Sequence, residues 1–65
     1  MMVVVNEKQV EVDEQTTVAA LLDSLGFPDR GIAVAVDSTV LPRSHWTTRL
    51  SDGARLEVVT AVQGG

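Results

Sequence analysis

The sequence predicts an α+β fold in which one mixed β-sheet is covered on one face by a single helix. Three observations support this fold class: two strand-like segments at the N-terminus, one amphipathic helical segment, and a valine-rich segment near the C-terminus. Alternating apolar residues indicate half-buried strands, whereas apolar residues three and four apart indicate a helix face. A hairpin, one helix and further strands can share a single core by packing the helix on the sheet. The segment order favours the β-grasp arrangement, with the first and last strands side by side and parallel.

Residues 2–13 predict an N-terminal β-hairpin. Residues 2–5 are a methionine and three valines, and β-branched residues favour strands. Residues 6–8 are polar and are expected to form the turn. Residues 9–13 alternate polar and apolar side chains, as a strand with one buried face does, so the two segments should pair with each other.

The helix is predicted at residues 17–25. Thr16 or Thr17 can cap it, because a threonine hydroxyl accepts a hydrogen bond from the free N–H groups of the first turn. The apolar residues at i, i+3, i+4 and i+7 are expected to pack on the sheet, and they are Val18, Leu21, Leu22 and Leu25. Gly26 stands where a helix end favours positive φ, and Pro28 prevents continuation.

The second half of the chain predicts three further strands. Residues 31–37, mostly valine and alanine, are expected to form the third strand. Val40 and Leu41 should form a short strand at a sheet edge, because the following Pro42 cannot donate to a strand ladder. The remaining segments are expected in this order: a turn at 37–39, an irregular stretch with room for one helical turn at 44–50, a turn at 51–53, the last strand at 55–62 and a flexible tail at 63–65.

The 65 residues are expected to form one domain, residues 1–65, with little room for an enclosed active site. A chain of this size buries only about 60% of the surface that its unfolded form exposes. Apolar residues make up 45% of the sequence but only two are aromatic, so the core must be aliphatic. A small-molecule site needs a cavity of about 300 Å³ or more. We therefore expect a protein that is not an enzyme on its own. A ferredoxin-like fold is disfavoured, because only one segment has a clear helical pattern.

Charge and cysteine content narrow the expected partners and compartment. The net charge is −4 and the five basic residues are spread along the chain, so we expect neither nucleic-acid binding nor attachment to an anionic membrane. The sequence has no cysteine and one histidine, which excludes a disulfide and disfavours a zinc site. It shows no apolar run of the ~20 residues that a membrane span needs and no signal-peptide pattern. A reducing cytoplasm is the expected compartment.

No group of side chains in the sequence predicts catalysis. Without cysteine or tyrosine, the nucleophiles are limited to serine, threonine and Lys8. His45 has no acidic residue close in sequence to orient it and is expected to be exposed, and Trp46 beside it is expected to be a packing anchor. The acidic residues lie at turns and on polar faces, where they are expected to be solvated. We expect no catalytic side chain, no bound metal and no bound cofactor.

The C-terminus carries the strongest functional signal. At an ordinary glycine frequency of ~7%, a chain ends in two glycines by chance about once in 200 cases. Gly64 and Gly65 follow a predicted strand, and a segment without side chains can enter a narrow cleft with its carboxylate leading. A terminal carboxyl has a pKa of ~3.3–3.7 and is ionised at neutral pH. The Gly65 carboxylate could therefore attack the α-phosphate of ATP in the site of a partner enzyme, with Gly64 providing access.

Several short segments along the chain form a pattern. The most specific are Pro42-Arg43 followed by Trp46, and the ending Gln63-Gly64-Gly65 after a valine-rich strand. The others are residues 5–6, 17–22, 34–36 and 50–53. With this pattern the chain resembles the ThiS family of thiamine-pathway sulfur carriers, a ubiquitin-like β-grasp family, over essentially its whole length. Asp37 and Ala54 depart from residues common in that family at turn positions.

The resemblance implies a mechanism and a set of partners. A ThiF-type enzyme would use ATP to adenylate the carboxylate of Gly65 and would be the component that binds ATP. A cysteine desulfurase or a related donor would then supply sulfur to give a thiocarboxylate. Thiazole synthase, ThiG, would take that sulfur into the thiazole ring of thiamine. The chain would be a co-substrate that carries sulfur.

Two other interpretations stay open at this point. The chain could be the small subunit of molybdopterin synthase, a carrier of the same class with the same diglycine end. It could also be a non-covalent β-grasp binding module, in which the diglycine has no function. The acidic composition disfavours the second of these.

A docking surface is also predicted on the sheet. Alternation along residues 55–62 puts Leu56 and Val58 toward the helix, which leaves Val59 and Ala61 exposed. Val4 should face outward in the same way. Parallel pairing of the two strands is expected to join Val4, Val59 and Ala61 into an apolar partner surface that leads toward the tail.

Overall fold

A computed structural model describes residues 1–60 and confirms the predicted α+β fold. Within these residues one sheet carries one α-helix on one face. The elements are, in chain order, β1 (Met2–Val5), β2 (Lys8–Glu11), α1 (Val18–Ser24), β3 (Ile32–Val36), β4 (Thr39–Val40), a single 3₁₀ turn (Arg43–His45) and β5 (Arg55–Thr60). The last two residues of the predicted final strand and the predicted tail lie outside the described residues.

The strands of the described sheet follow the order β2-β1-β5-β3-β4. As predicted, the first and last strands are neighbours and parallel, with Val4 opposite Arg55 and Val5 opposite Leu56. β5 also pairs with β3 in the antiparallel sense, from Leu56 opposite Val36 to Thr60 opposite Ile32. β4 lies at the sheet edge and is followed closely by Pro42, which confirms the position expected of a strand that ends near a proline.

Two-residue turns with a left-handed backbone close both hairpins. Each was predicted as a three-residue turn, and this was wrong by one residue, because Lys8 pairs with Val5 and Thr39 with Val36. Turns with positive φ at both central residues match the twist of paired strands, which favours the shorter connection. The residues with positive φ in these turns are Asn6 (49°), Glu7 (70°), Asp37 (50°) and Ser38 (73°).

Glu7 is therefore a strained position that glycine should improve. A left-handed backbone costs a residue with a Cβ about 1–2 kcal/mol, whereas glycine adopts it freely but loses more chain entropy on folding. We expect Glu7→Gly to raise the free energy of unfolding by about 0.5–1 kcal/mol. The midpoint of urea unfolding measures the change, and Glu11→Gly within β2 is the matched control, which should lower stability. A lower midpoint for Glu7→Gly would contradict the assigned turn.

Asp37 links the β3–β4 turn to the start of β5. Its Oδ1 accepts a hydrogen bond from the backbone N–H of Arg55 at 3.0 Å. Its own N–H donates to the carbonyl oxygen of Arg55 at 2.7 Å. The side chain therefore bonds across to β5, where it satisfies a backbone group at the beginning of that strand.

The helix begins where the sequence predicts it. Thr17 is the N-cap, and its hydroxyl accepts a hydrogen bond from the N–H of Ala20 at 3.1 Å. The first turn has two further N–H groups without a partner inside the helix. Val18 donates its N–H to the carbonyl of Thr48, and Ala19 donates its N–H to the carbonyl of Trp46. The loop after β4 therefore completes the cap that the threonine begins.

The expected packing of α1 is confirmed at three of its four apolar positions. Val18, Leu21 and Leu22 are buried, but Leu25 is 42% exposed, so its predicted place on the sheet is wrong. The α-helix ends at Ser24, and Leu25 is the C-cap, one residue before Gly26 turns the chain with a φ of 85°. Leu25 consequently sits at the rim of the core rather than over the sheet.

The core lies between α1 and the inner face of the sheet. The buried side chains are Val3, Val5, Val18, Leu21, Leu22, Val34, Trp46, Leu50, Ala54, Leu56 and Val58. Trp46 is a packing anchor, as expected, and its Nε1 donates to the carbonyl of Leu41 at 3.2 Å. Arg43 covers its ring, with the guanidinium carbon 5.2 Å from the ring centroid. No helix among residues 1–60 is long and apolar enough to cross a membrane.

Candidate functional site

The candidate site is the end of β5 and the residues that follow it. Gly64 and Gly65, the predicted reactive end, lie outside residues 1–60, as does Ala61. Their roles stay predictions. What the structure does describe is the strand from which they continue, and five residues separate its last residue, Thr60, from the C-terminus (65 − 60 = 5).

β5 is a well-anchored strand in the middle of the sheet. It pairs with β1 on one side and β3 on the other. The predicted alternation is confirmed over the described part: Leu56 is 0% exposed and Val58 6%, whereas Val59 between Val58 and Thr60 is 60% exposed. The buried side chains fix the strand to the core. The backbone up to Thr60 is therefore held in place by buried side chains and by strands on both sides.

An unexpected contact holds the far end of this strand. The Oδ1 atom of Asn6 accepts a hydrogen bond from the N–H of Val58 at 2.8 Å, and its Nδ2 atom donates to the Val58 carbonyl at 3.2 Å. Asn6 also donates its backbone N–H to the carbonyl of Leu56 at 3.0 Å. We call the two side-chain bonds the Asn6 clamp. Sequence reasoning placed Asn6 in a turn and gave it no bonding partner, and nothing in the turn pattern indicates one 52 residues away.

Of the predicted docking residues the structure describes Val4 and Val59, and these two are not neighbours. Val59 lies beside Ala33, and Ala35 lies beside Val40, which is 70% exposed. These four residues and Glu57 line a shallow groove on the sheet face opposite α1. We call Ala33, Ala35, Val40 and Val59 the outer-face patch.

Val4 is separate from this patch. It is half-buried and lies opposite Arg55. Arg55 precedes Val59 by four residues, which corresponds to ~13 Å along β5. Arg55 and Glu57 interrupt the apolar surface on that side of β5. The expected continuous surface from Val4 to Val59 is therefore wrong, because the strand register offsets the two valines, and the docking role of each residue stays a prediction.

The side chains considered for catalysis lie elsewhere. Ser44 and His45 are exposed in the 3₁₀ turn, and the expected exposure of His45 is confirmed. Among residues 1–60 no group of three or more histidine, cysteine, aspartate or glutamate residues could hold a metal ion. What the described residues do offer is the central strand β5 and an apolar groove on the outer face of the sheet.

Comparisons with known proteins agree with this arrangement. The family model described as the ThiS family matches residues 2–65. A thiazole synthase of Paramagnetospirillum magneticum is 33% identical over 66 residues, which cover all of this chain and 20% of that protein. The chain thus spans about a fifth of the length of this curated relative.

Two solved structures are similar over the whole chain. The crystal structure of the thiamine biosynthesis protein ThiS from Geobacter metallireducens has a TM-score of 0.81 and 30% identity, with all of both chains covered. The solution structure of a thiamine biosynthesis protein from the same organism has a TM-score of 0.77 and 30% identity, covering all of this chain and 88% of that one.

Proposed function

The chain belongs to the ThiS family, and from this premise we propose that it carries sulfur for the thiazole ring of thiamine on the C-terminal carboxylate of Gly65. The observation that carries the proposal is the family match over residues 2–65, which runs through the diglycine end. The position of β5 supports it, because a central strand held on both sides leads toward that end. The chain is a co-substrate of other enzymes and not an enzyme itself.

The chemistry needs only the ionised carboxylate of this chain. One carboxylate oxygen attacks the α-phosphorus of ATP, pyrophosphate leaves, and an acyl-adenylate remains on Gly65. A sulfur nucleophile then attacks the carbonyl carbon and displaces AMP. Hydrosulfide gives the thiocarboxylate directly, whereas a desulfurase persulfide gives an acyl disulfide, which a thiol then reduces to the thiocarboxylate. The adenylating enzyme supplies the ATP site. This chain supplies the reacting carboxylate, a glycine at position 64 whose missing side chain lets the chain end enter a narrow cleft, and the paired strand β5 that precedes them.

Three partners follow from this chemistry. They are a ThiF-type adenylating enzyme, a sulfur donor such as a cysteine desulfurase, and thiazole synthase. The likeness of the chain to a segment of a thiazole synthase favours the last of these as the acceptor of the sulfur. Because the loading step consumes ATP, we place it in the cytoplasm.

Intact-mass spectrometry tests the proposed function directly. The purified chain is incubated with a ThiF-type enzyme, ATP and a sulfide source, and then with thiazole synthase and its other substrates. We expect an adenylated species first, then replacement of one oxygen by sulfur, and then return to the starting mass as thiazole forms. A chain that never gains mass would contradict the proposal. Sulfur loading without transfer to thiazole synthase would instead favour a molybdopterin-pathway carrier.

Val59 is proposed as a contact for the adenylating enzyme. It is the residue of the outer-face patch that lies on β5, it is 60% exposed, and it lies six residues before Gly65 (65 − 59 = 6). A lysine ammonium placed in an apolar contact must lose water without a partner. We expect Val59→Lys to lower the kcat/KM of adenylation about tenfold, or ~1.4 kcal/mol at 25 °C.

Met2→Lys is the matched control for this prediction. Met2 is also apolar, exposed and on a strand of the sheet, but it is the first residue of β1 and does not belong to the outer-face patch. Both variants change one exposed residue and should leave the midpoint of unfolding nearly unchanged. Equal kcat/KM values for Val59→Lys and the wild type would exclude the outer-face patch as the docking surface. Equal losses in both variants would point to a general charge effect.

A further inference from the structure

We propose that Asn6 is a positioning residue whose side-chain amide sets the direction in which β5 delivers the C-terminal segment to the activating enzyme. This inference rests on the proposed function and adds to it a residue far from the reacting end in sequence. Its basis is the Asn6 clamp on Val58, described above.

The Asn6 clamp adds hydrogen bonds just past the point where the backbone ladder between β1 and β5 ends. β1 ends at Val5, and the last backbone bond between the two strands runs from the N–H of Asn6 to the carbonyl of Leu56. The chain then turns away into β2. The next pair of β5 groups on that side, the N–H and carbonyl of Val58, is bonded by the amide of Asn6. One side chain thus extends the ladder by one more residue, toward the C-terminus.

Asparagine meets three demands at this position. The backbone φ is +49°, a conformation that glycine, asparagine and aspartate tolerate and that is unfavourable for most other residues. The Val58 N–H requires an acceptor and the Val58 carbonyl requires a donor. Glycine has neither group and an ionised aspartate has only acceptors, whereas the amide of asparagine has both. The residue type therefore fits the clamp more closely than the turn alone requires.

The clamp acts on the part of β5 closest to the reactive end. Val58 lies seven positions before Gly65 (65 − 58 = 7). On its other side this part of β5 keeps its pairing with β3, where Val58 lies opposite Val34 and Thr60 opposite Ile32. Loss of the clamp should therefore loosen one edge of the strand end and leave the fold intact. Even ~1 Å of misplacement of a reacting group can cost ~100-fold in rate, so a loosened support should slow adenylation.

The test compares Asn6→Gly with Asp37→Gly. Both replace a left-handed turn residue by glycine, and both remove a side-chain bond to the backbone of β5. They differ in place: Asp37 bonds Arg55 at the start of the strand, and Asn6 bonds Val58 near its end. The readouts are the amide hydrogen exchange of Val58, the unfolding midpoint, and kcat and KM for adenylation by a ThiF-type enzyme. Asn6→Asp, which keeps the acceptor and loses the donor, replaces Asn6→Gly if that variant does not fold.

We expect Asn6→Gly to speed the exchange of the Val58 amide at least tenfold and to lower kcat about tenfold, with KM for the carrier within twofold of wild type. Asp37→Gly should keep the wild-type kcat at a comparable loss of stability. Wild-type kcat in Asn6→Gly would overturn the inference, and so would an equal fall in both variants, because that would assign the effect to stability. If the wild type itself is not adenylated, the proposed function fails; if it is adenylated and only the Asn6 result is negative, the function stands and the clamp role falls.

Discussion

Deletion of Gly65 is expected to reduce adenylation at least 100-fold while the fold stays intact. The deletion moves the terminal carboxylate back by one residue, ~3.3–3.6 Å along an extended chain. A shift of even ~1 Å at a reacting centre can cost ~100-fold, so the carboxylate of a shortened chain should no longer reach the α-phosphate productively. Among residues 1–60 the buried core residues run from Val3 to Val58, so we expect the unfolding midpoint to stay unchanged.

Three variants serve as controls for this result. Gly64→Ala adds a methyl group beside the reacting residue and should slow the reaction while keeping the carboxylate in place. Ser44→Ala and His45→Ala alter exposed residues of the 3₁₀ turn and should leave adenylation unchanged. Intact-mass spectrometry follows the adenylate and then the thiocarboxylate in each variant. Full sulfur loading of the deletion variant would refute the role of Gly65, and a large loss in His45→Ala would indicate that a side chain takes part.

Truncation of the buried leucines of α1 should cause the largest loss of stability. Leu21 is 1% exposed and Leu22 3%, and both pack between the helix and the sheet. Leu→Ala at a buried site costs about 2–5 kcal/mol, because apolar contacts are lost and a cavity remains. A small domain has little stability in reserve. We expect Leu21→Ala and Leu22→Ala to be partly unfolded at 37 °C, as measured by urea denaturation and far-UV circular dichroism.

Leu25→Ala makes the comparison specific to burial. It is the same truncation, one turn farther along, at a residue that is 42% exposed. We expect it to cost less than about 1 kcal/mol, in line with other substitutions outside the core. If Leu25→Ala destabilised the protein as much as Leu21→Ala, the described end of α1 would be wrong.

Leu25 also shows what a sequence pattern can predict about this fold. The strands and the helix were found because their side chains repeat with periods of two and 3.6 residues, and those periods follow from backbone geometry. Spacing alone also puts Leu25 on the buried face of α1. Its exposure depends on where the helix stops relative to the sheet, which is a tertiary property. The turns were misjudged by one residue for a similar reason, since strand twist, rather than polarity, selects their length.

The candidate site was predictable only in its chemistry. A diglycine end after a strand indicates a reactive carboxylate, and that inference needs no coordinates. The register of β1 against β5 is different, because it places Val4 opposite Arg55 and so separates Val4 from Val59. Alternation tells which face a valine occupies but not which residue lies beside it. The Asn6 clamp was missed because its two bonds join residues that are 52 positions apart.

The parallel pairing of β1 with β5 has a consequence for how the molecule is made. Val4 and Arg55 are 51 residues apart (55 − 4 = 51), so the edge of β1 that pairs with β5 has no partner until Arg55 has left the ribosome. The β1–β2 hairpin and α1 are local and can form early, whereas contacts of such large sequence separation form slowly. β5 can take its place in the sheet only after residues 55–60 have been synthesised. A chain that stops before β5 is complete therefore cannot present its C-terminal carboxylate from a finished sheet, and we expect an activating enzyme that requires that support to discriminate against it.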